Sequence, residues 1–397
     1  MHGAPPLDEE AAMDFTWPRE LVEFRDELVR FIERWRTPEL LEEYRATHGA
    51  GPRIQEFQDE INARGWSRMC WPQAYGGRDL NPLYQYVFVE TMEYWGMPYG
   101  NLTYTSVAPA ILQFGSEAQK AHYLPAIWRG ECRFAIGYSE PNAGSDLASL
   151  RTRAVLEGDT WHIQGQKIWT SGAESATHIW LACRTDVDVP RHQGISMLIV
   201  PIDAPGVTVR PLWTLSNVRT NETFYDNVRV PKDSLVGPLN GGWLIIMHAL
   251  NHERVGLSPV GNLGVLYDQL VAHLREHQPE RLADPVVRRR LAELRVELRK
   301  HRALAIRNAT TIATGKIKPH EASMTKVHGS ELRYTLTNTA MDLLGRFGGL
   351  DRAAGSLTPA EGRFEQTWRA SPILRFGGGA NELQRTIVAT RGLGMPR

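Results

Sequence analysis

The sequence predicts an α+β chain in three parts: an N-terminal α-helical domain, a central β-barrel or sandwich domain and a C-terminal four-helix bundle. Three observations carry this. Apolar residues recur at helical spacing up to about residue 133, short β-branched runs bounded by turn residues fill 134–240, and long helical patterns return from 241 to 397. In the first part, Leu21, Phe24, Leu28, Phe31, Ile32 and Trp35 fall on one helical face. The stretch "WPQAYGG" (71–77) breaks that pattern as a Pro/Gly loop, and helices resume near Tyr84 and from Glu117 to Ile127. Residues 1–18, opening "MHGAPPLDEEAAMDF", are acidic without an apolar run of signal-peptide length and read as a flexible tail.

The middle part offers "TWHIQGQKIWTSG", "HIWLACRT", "GISMLIVPI", "GVTVRPL" and "ETFYDNVRVP" as strands between Gly, Pro, Asp and Asn. After it, the 36 residues from "GWLIIM" to "LREH" read as one long buried helix. "PVVRRR…ATG", "HEASMT…LLG" and Asn381 to Arg391 read as three more, the last ended by Gly392. Arginines at 288, 289, 290, 295, 299 and 302 crowd one of these helices. Their plainest reading is a solvated face paired at i,i+4 with Glu293 and Glu297.

Composition narrows function. Lys+Arg and Asp+Glu are equal at 45 each, so nucleic acid and anionic membranes are not expected partners. The three cysteines, Cys70, Cys132 and Cys183, lie far apart with no CxxC pair. That fits a reducing, cytoplasmic setting and gives no metal signature. No apolar run is long enough to span a bilayer.

Three stretches can carry chemistry. "YSEPNAGSD" (138–146) is a turn-rich loop whose Ser139 and Ser145 hydroxyls can donate and whose Gly144 leaves backbone N–H groups accessible; alone it is most simply a turn cluster. "GQKIWTSG" (165–172) puts the Trp169 indole beside the Thr170 and Ser171 hydroxyls, an arrangement suited to a flat heteroaromatic ring, although a lone Trp in a strand is more often core. "FGGGANELQRTI" (376–387) runs three glycines into a helix start, where free N–H groups can meet an anion.

Taken together, and with "WPQAYGG", "FGSEAQKAHYLPAIWRGE" (114–131), "NHERVG" (251–256) and "GGGANELQRTIVATRGLGMPR", these stretches resemble the acyl-CoA dehydrogenase family over almost the whole chain. The look is nearest to actinobacterial dehydrogenases of the steroid side-chain type. The resemblance implies FAD between the β domain and the bundle. It also implies α,β-dehydrogenation of an acyl-CoA thioester to the trans-2-enoyl-CoA, with electrons passing to an electron-transferring flavoprotein. By position, Ser139 with its neighbour Glu140, together with Ser171, would serve the isoalloxazine, and Trp169 would pack against it. Ser145 would meet the diphosphate, and Asn381 and Glu382 would complete the cofactor side.

The reaction needs a base for the α proton. Many family members carry it as a Glu in the loop matched by "FGGGA", where this chain has Gly378, which can line the substrate pocket but takes no proton. A second branch places the Glu on a bundle helix directly before an Arg. Here that pair is Glu253–Arg254, with Glu253 as the base and Arg254 ordering the site; a structural Glu paired with Arg254 or His252 is the alternative. The three glycines would leave room for a bulky or branched acyl group.

Two family stretches are missing. No "RxxFG" lies between Leu257 and His328, and the usual Gln-x-x-Gly-Gly is reduced to "DLLGR" (342–346). In the family both reach a neighbouring subunit's FAD, which points to a heteromer, α2β2, with a second dehydrogenase-like chain. A non-catalytic scaffold subunit, an oxidase that passes electrons to O2, and a dehydrogenase of carrier-bound acyl groups are the other readings.

Overall fold

The computed structural model describes residues 17–47, 51–99, 102–256, 260–313 and 318–396, with the side chains of 251–256 and 313 excepted. Six helices come first: α1 Arg19–Trp35, α2 Pro38–Thr47, α3 Pro52–Ala63, α4 Pro82–Trp95, α5 Ala108–Phe114 and α6 Glu117–Trp128. The periodic face of α1 is the buried one, through Leu21, Phe24, Leu28, Phe31 and Ile32. Phe31 packs edge-on to Trp66 at 5.0 Å between ring centroids and stacks with Phe57 at 5.5 Å. A capping box closes the start of α6, with Ser116 and Gln119 each bonding the other's backbone N–H.

Eight strands follow: β1 Phe134–Gly137, β2 Arg153–Glu157, β3 Thr160–Ile168, β4 His178–Arg184, β5 Ile195–Pro201, β6 Val207–Trp213, β7 Arg219–Pro231 and β8 Leu235–Val236. They form one sheet in the order β6-β7-β3-β2-β4-β5-β8, with β1 running parallel to β4 off this path. The five strand stretches read from sequence are β3 to β7. The short β1, β2 and β8 lack the length or apolar content that would have marked them.

The remaining helices are α7 Gly242–Gly256, α8 Val260–His277, α9 Pro279–Ala283, α10 Pro285–Ala313, α11 Pro319–Leu344, α12 Arg363–Ala370, α13 Ile373–Phe376 and α14 Asn381–Ile387. The expectation of one helix from "GWLIIM" to "LREH" is met on either side of residues 257–259, over α7 and α8. Residues 257–259, which include Pro259, fall between them and lie outside the described residues. Leu266, Leu270, Leu291, Leu298, Leu336 and Leu343 build the apolar core shared by α8, α10 and α11.

The arginines of α10 only partly follow the i,i+4 expectation. Arg289 does pair with Glu293, at 3.8 Å. Arg290, Arg295 and Arg302 instead reach Asp342, Asp268 and Glu90 on neighbouring helices, and Glu297 takes Lys300 and His328.

The crossing of α4 and α8 is close because Gly261 has no side chain; a β carbon there would lie 2.1 Å from the Glu90 carbonyl oxygen. Next to it, the buried Glu93 carboxyl accepts from the Tyr99 hydroxyl at 2.7 Å and is faced by the backbone N–H of Asn262. Burial pushes the Glu93 carboxyl up to about 8, against the Tyr99 hydrogen bond and the charge of Arg333. A carboxyl that keeps its proton longer when folded contributes stability below its ordinary value of 4.5, and that contribution is lost as pH rises to about 8. Melting temperature is thus expected to decline across that window in the wild-type protein. It should run flatter in Glu93→Gln, which holds the neutral form at every pH. Equal slopes in a pH series of thermal melts would refute this.

Candidate active site

Three pieces carry the candidate residues, and the sheet, α5 and α7 share an apolar core made by Val107, Ile111, Trp180, Ile199, Ile245, Ile246 and Ala249. The first piece is the 138–146 loop. Its underside is held by Lys167 of β3, which is fully buried and donates to Glu140 Oε1 at 2.8 Å and to the Tyr138 carbonyl at 3.0 Å. The same carboxylate accepts from the backbone N–H groups of Arg151 and Thr152, both at 2.7 Å. Burial pushes the Glu140 carboxyl up, but the Lys167 ammonium and these hydrogen bonds outweigh it and hold it below the usual range. Glu140 thus spends its side chain on shaping the loop. Ser139 is half-buried, Ser145 is exposed, and a β carbon at Gly144 would meet nothing within 4 Å.

The second piece is the turn after β3. The Ile168 N–H donates to the Ser139 carbonyl at 2.9 Å, which draws the loop beside the residue that follows, Trp169. On the other side, the Thr170 N–H donates to the Asn221 carbonyl of β7 at 2.9 Å and Asn221 Nδ2 returns a bond to the Thr170 carbonyl at 3.0 Å. Trp169 is caught between these anchors with a left-handed backbone, φ +64°, and its side chain 57% exposed. A non-glycine residue in that region costs energy, and a large indole left in solvent forgoes its burial, so the pair of features marks a surface prepared for a ligand. The alternative of a core Trp does not hold. Ser171 pairs its hydroxyl with Thr220 at 2.9 Å.

The third piece is the glycine loop 377–379. Gly378 and Gly379 have φ of +66° and +99°, which side chains rarely adopt. Asn381 behind them is buried, bonded to Ser330 and Lys326, whereas Glu382 is exposed.

The backbone of positions 253 and 254 lies in α7, one turn beyond Ala249, whose carbonyl accepts from the buried Ser106 hydroxyl at 3.3 Å. The side chains of Glu253 and Arg254 lie outside the described residues. The start of α7 is joined to the sheet: Gly241 bridges Ile195, and a β carbon at Gly242 would lie 2.8 Å from the Ile195 carbonyl oxygen.

An exposed indole, with Ser171 on its own turn and Ser139 on the loop bonded to that turn, suits the face of a flavin ring. The small, open Gly144–Ser145 segment fits a phosphate-bearing arm. Lys167 is the functional-site residue that sequence reasoning missed. A charged residue at an inward position of the alternating "IQGQKI" strand was the available signal.

Comparison with known proteins identifies the family. Family models for the acyl-CoA dehydrogenase N-terminal, middle and C-terminal domains match residues 18–131, 135–228 and 240–393. The acyl-CoA dehydrogenase FadE26 of Mycobacterium tuberculosis is 37% identical over 94% of this chain and 97% of its own length. FadE29 of the same organism is 39% identical over 87% and 90%. Among solved structures, the "Tcur3481-Tcur3483 steroid ACAD" superposes with TM-score 0.89 at 39% identity, covering 97% of this chain and all of that one. The ChsE4–ChsE5 complex from M. tuberculosis gives TM-score 0.88 at 34% identity, over 97% and 100%. With all three domain models matched in order along one continuous alignment, the chain belongs to the acyl-CoA dehydrogenase family and is an oxidoreductase of that kind.

Proposed function

We propose that the chain oxidises the α,β bond of a bulky, branched or steroid-type acyl-CoA, with Glu253 removing the α proton. The observation that carries this is Gly378, which leaves the loop before α14 with no acid, while the sequence carries a Glu–Arg pair at 253–254 in α7. The relatives described as steroid dehydrogenases favour the substrate class. Trp169 would pack against FAD, which when bound would supply the acceptor for the hydride leaving the β carbon. The chain's own part is to bind and strip the substrate. Glu253 takes the α proton as the α,β double bond forms, and later gives it to solvent. The Trp169–Ser171 turn, with the Ser139 loop bonded to it, fixes the plane against which the thioester lies. Arg254 orders the helix end around it, Gly378 leaves space for the acyl chain, and Ser145, Asn381 and Glu382 shape the cofactor side. The two electrons pass on to an electron-transferring flavoprotein.

We further read the chain as one half of a heteromer. It lacks the arginine and Gln-x-x-Gly-Gly stretches that family members lend to a neighbour's cofactor, and α11 ends instead in "DLLG". The ChsE4–ChsE5 structure, of a relative, is a complex of two different chains. Purified alone, this chain is expected to be colourless or flavin-poor. Co-expressed with a dehydrogenase-like partner, it should be yellow with the mass of an α2β2 assembly. Absorbance at the flavin band with light-scattering mass checks this, and a yellow, active homotetramer would overturn it.

A further inference from the structure

The glycine loop has a buried ammonium behind it. Lys326 of α11 is 2% exposed, and its Nζ donates to the Gly379 carbonyl at 2.7 Å, to Asn381 Oδ1 at 2.9 Å and to the Arg375 carbonyl at 3.3 Å. An ammonium has three donors, and these three acceptors come from the segment 375–381. Gln384, fully buried one turn into α14, adds a weaker tie, donating to the Gly378 carbonyl at 3.4 Å while accepting from Ser323 at 2.7 Å.

The cost of this arrangement argues for a use. Burying an ammonium is expensive, and three glycines in a row give the loop the largest conformational freedom a backbone can have. If the loop merely made space, neither a buried charge nor a three-way clamp would be needed. The clamp draws the carbonyls of 375 and 379 toward α11 and so selects one conformation of a segment that has no side chains of its own to select it.

We propose that Lys326 is a positioning residue that holds the acid-free 377–379 loop in the shape required for turnover. The proposal rests on the reading above that this loop borders the acyl-CoA site. Lys326 acts through the backbone, and no reacting atom is assigned to it.

The test uses the flavinated protein from whichever preparation above yields it. Three variants are compared: Lys326→Met, Lys326→Gln, and Asn308→Ala as a structural control. Asn308 is buried and donates to Thr325 Oγ1, the residue next to Lys326, at 2.8 Å, yet does not reach the loop. The first readout is hydrogen exchange of peptides spanning 373–386. Lys326→Met is expected to exchange there about tenfold faster, with the rest of the bundle unchanged and Asn308→Ala like wild type. The second readout is the split between kcat and KM on an acyl-CoA that reduces the wild-type flavin. In Lys326→Met, kcat is expected to fall about 10–100-fold with little change in KM, and Lys326→Gln, which keeps two donors, should recover part of it. Asn308→Ala should lower the melting temperature alone. Unchanged loop exchange, or faster exchange with unaltered kcat, overturns the proposal. If Lys326→Met does not fold, Lys326→Gln decides on the same readouts. A wild-type flavin that no acyl-CoA reduces would sink the proposed function instead, and the exchange readout would still judge the clamp.

Discussion

Replacing Glu253 by Gln is expected to lower kcat by about 10²–10⁴-fold, the range a positioned general base contributes, without loss of flavin or fold. Gln keeps the size and hydrogen-bonding reach of Glu but cannot accept the α proton. Binding of the enoyl-CoA product, followed as a perturbation of the flavin absorbance, should persist, because it requires no proton transfer. Anaerobic mixing with acyl-CoA separates the two: the variant should bind and not bleach. The prediction is sharp because the other position at which the family carries its base is Gly378, with φ +66° and no side chain. Near-normal bleaching by Glu253→Gln would mean that the base lies elsewhere and that the α7 acid is structural.

The second large effect is expected at Lys167. Lys167→Met strips the Glu140 carboxylate of its buried counter-charge while leaving it the two backbone N–H groups of Arg151 and Thr152. Breaking a buried pair from one side typically costs about 3–5 kcal/mol, because a charge is left in a poor solvent. The carboxyl is held below its ordinary 4.5 in the folded protein, so the pair's contribution is present above that value and lost as pH falls through the depressed one. Lys167→Met should therefore melt earlier than wild type at neutral pH, with the gap narrowing in acid. Lys167→Met combined with Glu140→Gln should recover much of the loss, since no charge then remains. Flavin content should fall in the single variant more than in the double one, because the Ser139 carbonyl that anchors the β3 turn rides on this loop. A single variant as stable as wild type at neutral pH would refute the account.

Much of the architecture was legible because the chain obeys simple periods. The face of α1 is spelled out by its spacing, and β3 to β7 by runs between turn residues. What escaped had physical reasons. β2 carries exposed residues at three of its five positions, and β8 has two residues in all, so neither offers a pattern. At the site, Ser139, Trp169 and Gly378 could be singled out as residue types in a pattern, but the backbone state of Trp169 could not, since it is imposed by Asn221, more than fifty residues away. The inward partners were harder to see for a related reason: Lys167 shows only as a charge at an inward strand position, and Lys326 carries no such mark. A lysine reads as surface unless the positions of its acceptors are known, and those acceptors are mostly carbonyls, which every residue has.

The bridge between Ile195 and Gly241, with Gly242 seated on the Ile195 carbonyl, has a consequence for recombining such enzymes. It leaves no slack linker at the point where the sheet hands over to α7, so the spacing between the aromatic platform and the helix bearing the acid is inherited as a unit. A chimaera spliced at 240 would pair the first turn of one parent's helix with the β5 edge of another and shift both halves of the site. Crossovers that keep 195–242 from a single parent, β8 included, should transmit the geometry intact.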